Sequence, residues 1–243
     1  MAMPLRPWSP IPIQDCGEPL DPLAPTLWKL EPHPYVALGA PYGPDGNPFL
    51  LRSGVVVRLL QAQQALQLEH PELRLAIFDG WRPLAVQSFM VKQALSVECL
   101  RVGVDPDSAS HERDQVAIEV GRFWAPPSAD PATPPPHSTG AAVDLTLASL
   151  CGEPLAMGGA IDTIGPISEP GFHAEAARLD PGGDAARWHR HRQWLATAMG
   201  AAGFVQHPNE WWHFSWGDQL WAWRSGAGQA RYGSIGSDEI GKA

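Results

Sequence analysis

Apolar residues recur along this chain with periods that define its main elements. Val55, Leu59, Ala62 and Leu66 fall on one helical stripe behind Ser53, the expected N-cap, so a helix is predicted from Ser53. Residues 73–78 read as a strand stopped by Asp79-Gly80. Pro83 then opens a second helix running to about Leu100, at the first-turn position that proline tolerates. A further helix is expected within 103–123, begun by Asp105-Pro106-Asp107-Ser108. From Ala142 the period drops to two. Ala142, Asp144 and Thr146 share one face and Val143, Leu145 and Leu147 the other, which predicts a half-buried strand. In the last clear helix Trp188, His191, Leu195, Ala198 and Met199 form one stripe, with Asp184 as its cap and Gly203 as its stop.

The segments between are punctuated by proline and glycine. Residues 1–48 combine scattered prolines with Gly39, Gly43 and Gly46, which predicts an extended arm wrapped on the domain and tied down by Trp8, Trp28 and Tyr35. Pro126 to Pro136 is a proline-rich loop leading into His137, and it should rim any site there. Gly152-Glu153-Pro154 suggests a turn, residues 157–162 a glycine segment with one acid, 163–183 a loop, and 225–243 a C-terminal tail. No repeat and no break in composition divides the 243 residues, so one domain over 1–243 is expected.

Composition narrows the function. With 44% hydrophobic and 18% charged residues the chain is a folding sequence with material for a sizeable core. A formal net charge of -9 repels phosphate backbones and anionic lipid, which argues against nucleic acid and membrane as partners and for a small ligand. Oligomeric state leaves no signal. Cys16, Cys99 and Cys151 are widely spaced and odd in number, and read as reduced thiols. The first residues lack the apolar region of a secretory signal and no run of 18 apolar residues occurs, so a cytoplasmic protein is expected.

Chemistry concentrates in two distant stretches. His137 and Asp144 lie seven residues apart across a glycine turn, and an unpaired carboxylate on a buried strand face is costly, so Asp144 needs hydrogen bonds or a cation. Taken alone, His137 ending a loop and Asp144 pairing with a lysine or arginine explains it equally well. The run Asn209-Glu210-Trp211-Trp212-His213-Phe214 adds a second histidine and an acid. Two histidines and one carboxylate leave a tetrahedral zinc with an open fourth position, and Glu210 then fits as the base that is not a ligand. Because Glu210 and His213 are three apart, Glu210 is expected in the turn before the strand. Arg82 stands at a strand-to-helix junction, where it either pairs with Asp79 or faces the metal and stabilises an oxyanion. His189 and His191 have no acid at metal spacing and read as helix surface and packing.

Read in order, Asp-Gly-Trp-Arg-Pro, His-x-x-Gly-x-Ala-Val-Asp-Leu, Met-Gly-x-x-x-Asp and Glu-Trp-Trp-His-Phe resemble the D-alanyl-D-alanine dipeptidase family, the VanX-like zinc peptidases, from about residue 35 onward. The resemblance implies an α+β domain whose small, mainly antiparallel sheet carries the zinc site and is flanked by helices. It implies one zinc per chain on His137, Asp144 and His213, Glu210 as catalytic base, Arg82 as transition-state stabiliser and Asp162 against a substrate ammonium. The implied substrate is a free dipeptide, D-Ala-D-Ala. The chain departs from the family in one place: Pro135 stands where a serine usually precedes the first zinc histidine by two residues, which puts the preferred dipeptide in question. Two other readings stay open, a zinc-containing binding module without turnover and a carboxypeptidase or endopeptidase acting on longer cell-wall peptides. Glu210 and Arg82 favour an enzyme, since a structural zinc has a closed shell and needs neither.

Overall fold

The computed structural model describes residues 6–43 and 46–236. The strands are β1 (Leu20–Pro22), β2 (Trp28–Lys29), β3 (Leu50–Arg52), β4 (Leu73–Asp79), β5 (Ala142–Ser149), β6 (Val205–Gln206) and β7 (His213–Ser215). The helices are α1 (Pro34–Ala37), α2 (Ser53–Glu69), α3 (Leu84–Arg101), α4 (His111–Val120), α5 (Ala174–Leu179), α6 (Asp184–Ala201) and α7 (Gln219–Ser225). Five strands form one sheet in the order β2-β4-β5-β7-β6, antiparallel except for the parallel β2–β4 edge, and β1 pairs with β3 in a second small sheet. This is the α+β architecture expected from the sequence.

β5 is the central strand, and this corrects the half-buried expectation: seven of its eight residues are buried. Val143, Leu145 and Leu147 pack into the main core with Val55, Leu59, Ala62 and Leu66 of α2 and with Leu195, Ala198 and Met199 of α6. Each fully buried side chain of this kind contributes about 1.5–3 kcal/mol, so the apolar stripes read from the sequence hold the sheet. The residues of the opposite face, Asp144 and Thr146, are also buried. A second cluster, with Tyr35, Tyr42, Val86, Met90, Phe123 and Trp124, joins the N-terminal arm to α3 and α4.

Helix ends differ from expectation in consistent ways. Ser53 and Asp184 are the first helical residues, and the caps are Arg52 and Gly183, neither with a side-chain capping bond. Pro83 is itself the N-cap of α3. The helix expected within 103–123 is shorter and starts at His111, because Ser110 accepts from the Arg113 N–H and ends the preceding turn. The 163–183 segment holds the short α5. After α6, α7 begins where Asp218 accepts from the Trp221 N–H and ends at Gly226 with φ 74°, so the helix reaches the start of the expected tail. Residues 237–243 of that tail and 1–5 of the arm lie outside the described residues. Cys16, Cys99 and Cys151 are free thiols. Among the described residues no helix is long and apolar enough to cross a membrane.

Candidate active site

Three chain segments converge on one end of the sheet. The first is a 3-10 turn, Pro136–Thr139, which presents His137; Gly140 follows with φ 70° and turns the chain into β5. A side chain at Gly140 would strike Leu20, so the turn requires glycine. The turn is stitched to the Arg82 segment: the Arg82 N–H donates to the His137 carbonyl at 3.2 Å and Ser138 Oγ donates to the Arg82 carbonyl at 2.8 Å. β5 supplies Asp144, and β7 supplies His213 directly opposite it in the antiparallel register. Glu210 lies in the turn just before β7, as expected.

The donor atoms of His137, Asp144 and His213 lie within 4.8 Å of one another and all three residues are buried. His137 Nε2 is 3.2 Å from Asp144 Oδ2 and 3.2 Å from His213 Nδ1, and His213 Nδ1 is 3.1 Å from Asp144 Oδ1. His137 Nδ1 stands 2.7 Å from the Gly80 carbonyl, which can only accept, so Nδ1 carries the proton and Nε2 turns its lone pair to the cluster. His213 Nε2 lies 3.3 Å from Ser215 Oγ, leaving Nδ1 for the same point. Asp144 Oδ1 is buried without a hydrogen-bond donor. Two outward-anchored imidazoles, an unsatisfied carboxylate oxygen and a common focus fit a divalent transition metal such as zinc. Burial alone would raise the Asp144 pKa; when His137 and His213 carry protons toward it, their charge and hydrogen bonds overcome this and hold the group well below the usual carboxylate range.

Arg82 pairs with Asp79, as one of its two sequence readings has it, and it also reaches the His137, Asp144 and His213 cluster. Its Nε and Nη2 donate to Asp79 Oδ2 at 3.0 and 2.7 Å, Nη1 donates to Gln87, and Nη2 also reaches Asp144 Oδ2 at 3.5 Å. A register shift between Ile77 and Asp79 sets Asp79 opposite Asp144, so the guanidinium bridges two carboxylates. Burial disfavours its charge, but Asp79, Tyr35 and Asp144 outweigh this and raise its pKa. His33 and Tyr42 complete the shell of Asp79, each 3.1 Å from Oδ1. Gly80 packs against the Leu50 and Pro48 carbonyls, where a side chain would not fit.

Glu210 Oε2 lies 3.5 Å from His213 Nδ1, while Oε1 is buried without a hydrogen-bond partner. Burial, and then the charge of Asp144, raise its pKa well above the ordinary value. Asp162 sits on the loop after β5 with φ 67°, a left-handed conformation uncommon for a residue with a side chain. Tyr35 Oη donates to its Oδ2 at 2.7 Å. Burial and the neighbouring Asp144 push its pKa up to about 7.

Arg82, His137, Asp144, Asp162, Glu210 and His213 line one cavity. His189 and His191 lie elsewhere, on α6, and His191 Nδ1 bonds the Ala156 carbonyl. Four residues with a part in the site escaped the sequence reading of function: Arg6, Tyr35, His207 and Arg192. Arg192 donates to the carbonyls of Met157, Ile167 and Glu169 and so fixes the loop that carries Asp162. The one signal available was chemical: an arginine at a stripe position of α6 needs acceptors if buried.

Residues 29–229 match the sequence model of the peptidase M15 family described as D-Ala-D-Ala dipeptidase. A D-alanyl-D-alanine dipeptidase of Synechocystis sp. is 43% identical over 228 residues, 91% of this chain and 91% of the relative. A D-alanyl-D-alanine dipeptidase of Streptomyces coelicolor is 44% identical over 80 residues, 32% of this chain and 35% of the relative. Among solved structures, a mutant of the D,D-pentapeptidase VanY in complex with Zn(II) aligns with TM-score 0.48 at 12% identity over 92% of this chain and 96% of that one. VanYB in complex with D-Ala-D-Ala aligns with TM-score 0.46 at 15% identity over 89% and 88%.

Proposed function

The chain belongs to the D-Ala-D-Ala dipeptidase family, and from that premise we propose that its cavity hydrolyses free D-Ala-D-Ala, with His137, Asp144 and His213 as zinc ligands, Glu210 as base, and Arg82 and Asp162 on the substrate. The observation that carries this reading is the pairing of a three-donor cluster with a buried acid outside it, Glu210, one of whose oxygens accepts no hydrogen bond. A structural metal site has no use for such an acid.

Zinc, when bound, supplies Lewis acidity, activating water and polarising the scissile carbonyl. The chain's own groups do the rest. Glu210, with its raised pKa, accepts the proton of the attacking water as the oxygen bonds to the carbonyl carbon, then gives that proton to the nitrogen as the C–N bond breaks. Two molecules of D-alanine leave. Arg82 offers fixed positive charge to the oxygen that becomes an oxyanion, and because Asp79 and Gln87 already hold it, no reorganisation is needed when charge develops. Asp162 receives the ammonium, which an N-blocked or longer peptide lacks at that point; the buried carboxylate would then stay unpaired. We infer a cytoplasmic setting, which the exposed free thiols of Cys16 and Cys151 favour.

A substrate panel on zinc-loaded protein tests the proposal. Free D-Ala-D-Ala should turn over far faster than N-acetyl-D-Ala-D-Ala, L-Ala-L-Ala or a tripeptide ending in D-Ala-D-Ala. Comparable rates on the blocked or longer substrates would replace this reading with a carboxypeptidase.

A further inference from the structure

Arg6 lines the same cavity as Glu210, His213 and Asp162, although it belongs to the N-terminal arm. The arm holds it firmly. Trp8 is buried, packs edge-on to His207 with ring centroids 5.6 Å apart and against Trp223 at the same distance, and Gln219 Nε2 donates to the carbonyls of Ser9 and Ile11. The Arg6 guanidinium donates to His207 Nε2 and to the Gly121 carbonyl, both at 3.1 Å, and lies 5.4 Å from the Trp8 ring centroid. No carboxylate among the described residues forms an ion pair with it. The other arginine facing this cavity, Arg82, is already paired with Asp79 and bonded to Gln87. A guanidinium has five N–H donors, and two are engaged here. A half-buried cation with no carboxylate bonded to it is costly, which makes it a receptor for one.

We propose that Arg6 receives the terminal carboxylate of the substrate, opposite in role to Asp162 at the ammonium. This rests on the dipeptidase reading and adds the second half of its selectivity. A zwitterion then finds a charge partner at each end, while a C-terminally amidated or extended peptide leaves Arg6 unpaired. Burial lowers the Arg6 pKa and Glu210 counters this, which is consistent with a guanidinium partly removed from water. Arg6 also borders a second cavity lined by Trp8, Ser9, Pro126 and Pro135, so it stands between the site and the space a longer chain would enter.

The test compares D-Ala-D-Ala with D-Ala-D-alaninamide on zinc-loaded wild type, Arg6→Met and Arg6→Lys. The wild type should prefer the acid. In Arg6→Met the KM for the acid should rise about tenfold or more with kcat within about threefold, while the KM for the amide stays put. Arg6→Lys, which keeps charge without the fork, should fall between. Equal losses of kcat on both compounds with a displaced pH profile would assign Arg6 to Glu210 or His207 and overturn the proposal, as would an acid preference that survives Arg6→Met. If wild type turns over neither compound, the dipeptidase reading fails. Calorimetric titration of the same two compounds then decides Arg6 separately: tighter binding of the acid that vanishes in Arg6→Met sustains the proposal, and equal binding of both by wild type refutes it. Should Arg6→Met fail to fold, Arg6→Lys carries the comparison.

Discussion

The wall of the cavity that carries Asp144 and His213 is made of paired backbone, whereas the wall that carries Arg6 and Asp162 is made of loops tied down by side chains. Asp144 and His213 are opposite each other in a hydrogen-bonded ladder, and His137 is one 3-10 turn away. Their mutual position follows from strand register, which a slip of one residue would destroy together with the core face of β5. Arg6 and Asp162 have no such ladder. Arg6 depends on Trp8 and Gln219, and Asp162 on Tyr35 and on the three carbonyls gripped by Arg192. On the proposed reading the rigid wall carries the chemistry, which tolerates little displacement, and the tethered wall carries recognition, where loop changes would alter selectivity without dismantling the metal site.

The contrast predicts a graded set of outcomes. His213→Ala should have the largest effect, removing a donor from the cluster: zinc content of the purified protein falls from about one per chain and turnover drops to background. Full zinc occupancy in that variant, by elemental analysis, would remove His213 from the ligand set.

Glu210→Gln comes next. Fold and metal content should be retained while kcat falls about a hundredfold or more, because the amide cannot take the proton. Unchanged kcat would eliminate Glu210 as the base.

Asp162→Asn should have the smallest effect on kcat and the clearest effect on selectivity, reducing the advantage of free over N-acetylated dipeptide. It also carries a pH signature. The folded pKa of Asp162, about 7, lies above the ordinary carboxylate value, so the folded state binds more protons than the unfolded one between those values. Wild-type stability contributed by this group is therefore lost as pH rises toward 7 and stays lost above it. Asparagine, which also tolerates the left-handed conformation, removes that penalty. The variant should melt a few degrees above wild type at pH 8, with the gain shrinking at pH 5. A pH-independent difference would show that Asp162 is not the titrating group.

What the sequence determined by itself was whatever has a period or a local chemical meaning. The stripes of α2 and α6 and the alternation of β5 are visible because one face of each must leave water, and that requirement is written every second or every third to fourth residue. The convergence of His137, Asp144, Glu210 and His213 was legible because the metal chemistry proposed for them demands particular residue types at short spacing within two segments. Helix starts at Ser53, Asp184 and His111 were misjudged by one or more residues because several polar residues nearby can each end a helix, and only the packed backbone selects one. Tertiary structure alone decided that Arg6 meets His207 across 201 residues, that Tyr35 meets Asp162 across 127, and that Arg192 binds the loop carrying Asp162. Such contacts join single polar side chains on segments with no shared period, so nothing local announces them. They exist because the core brings those segments together and buried polar groups must then find partners.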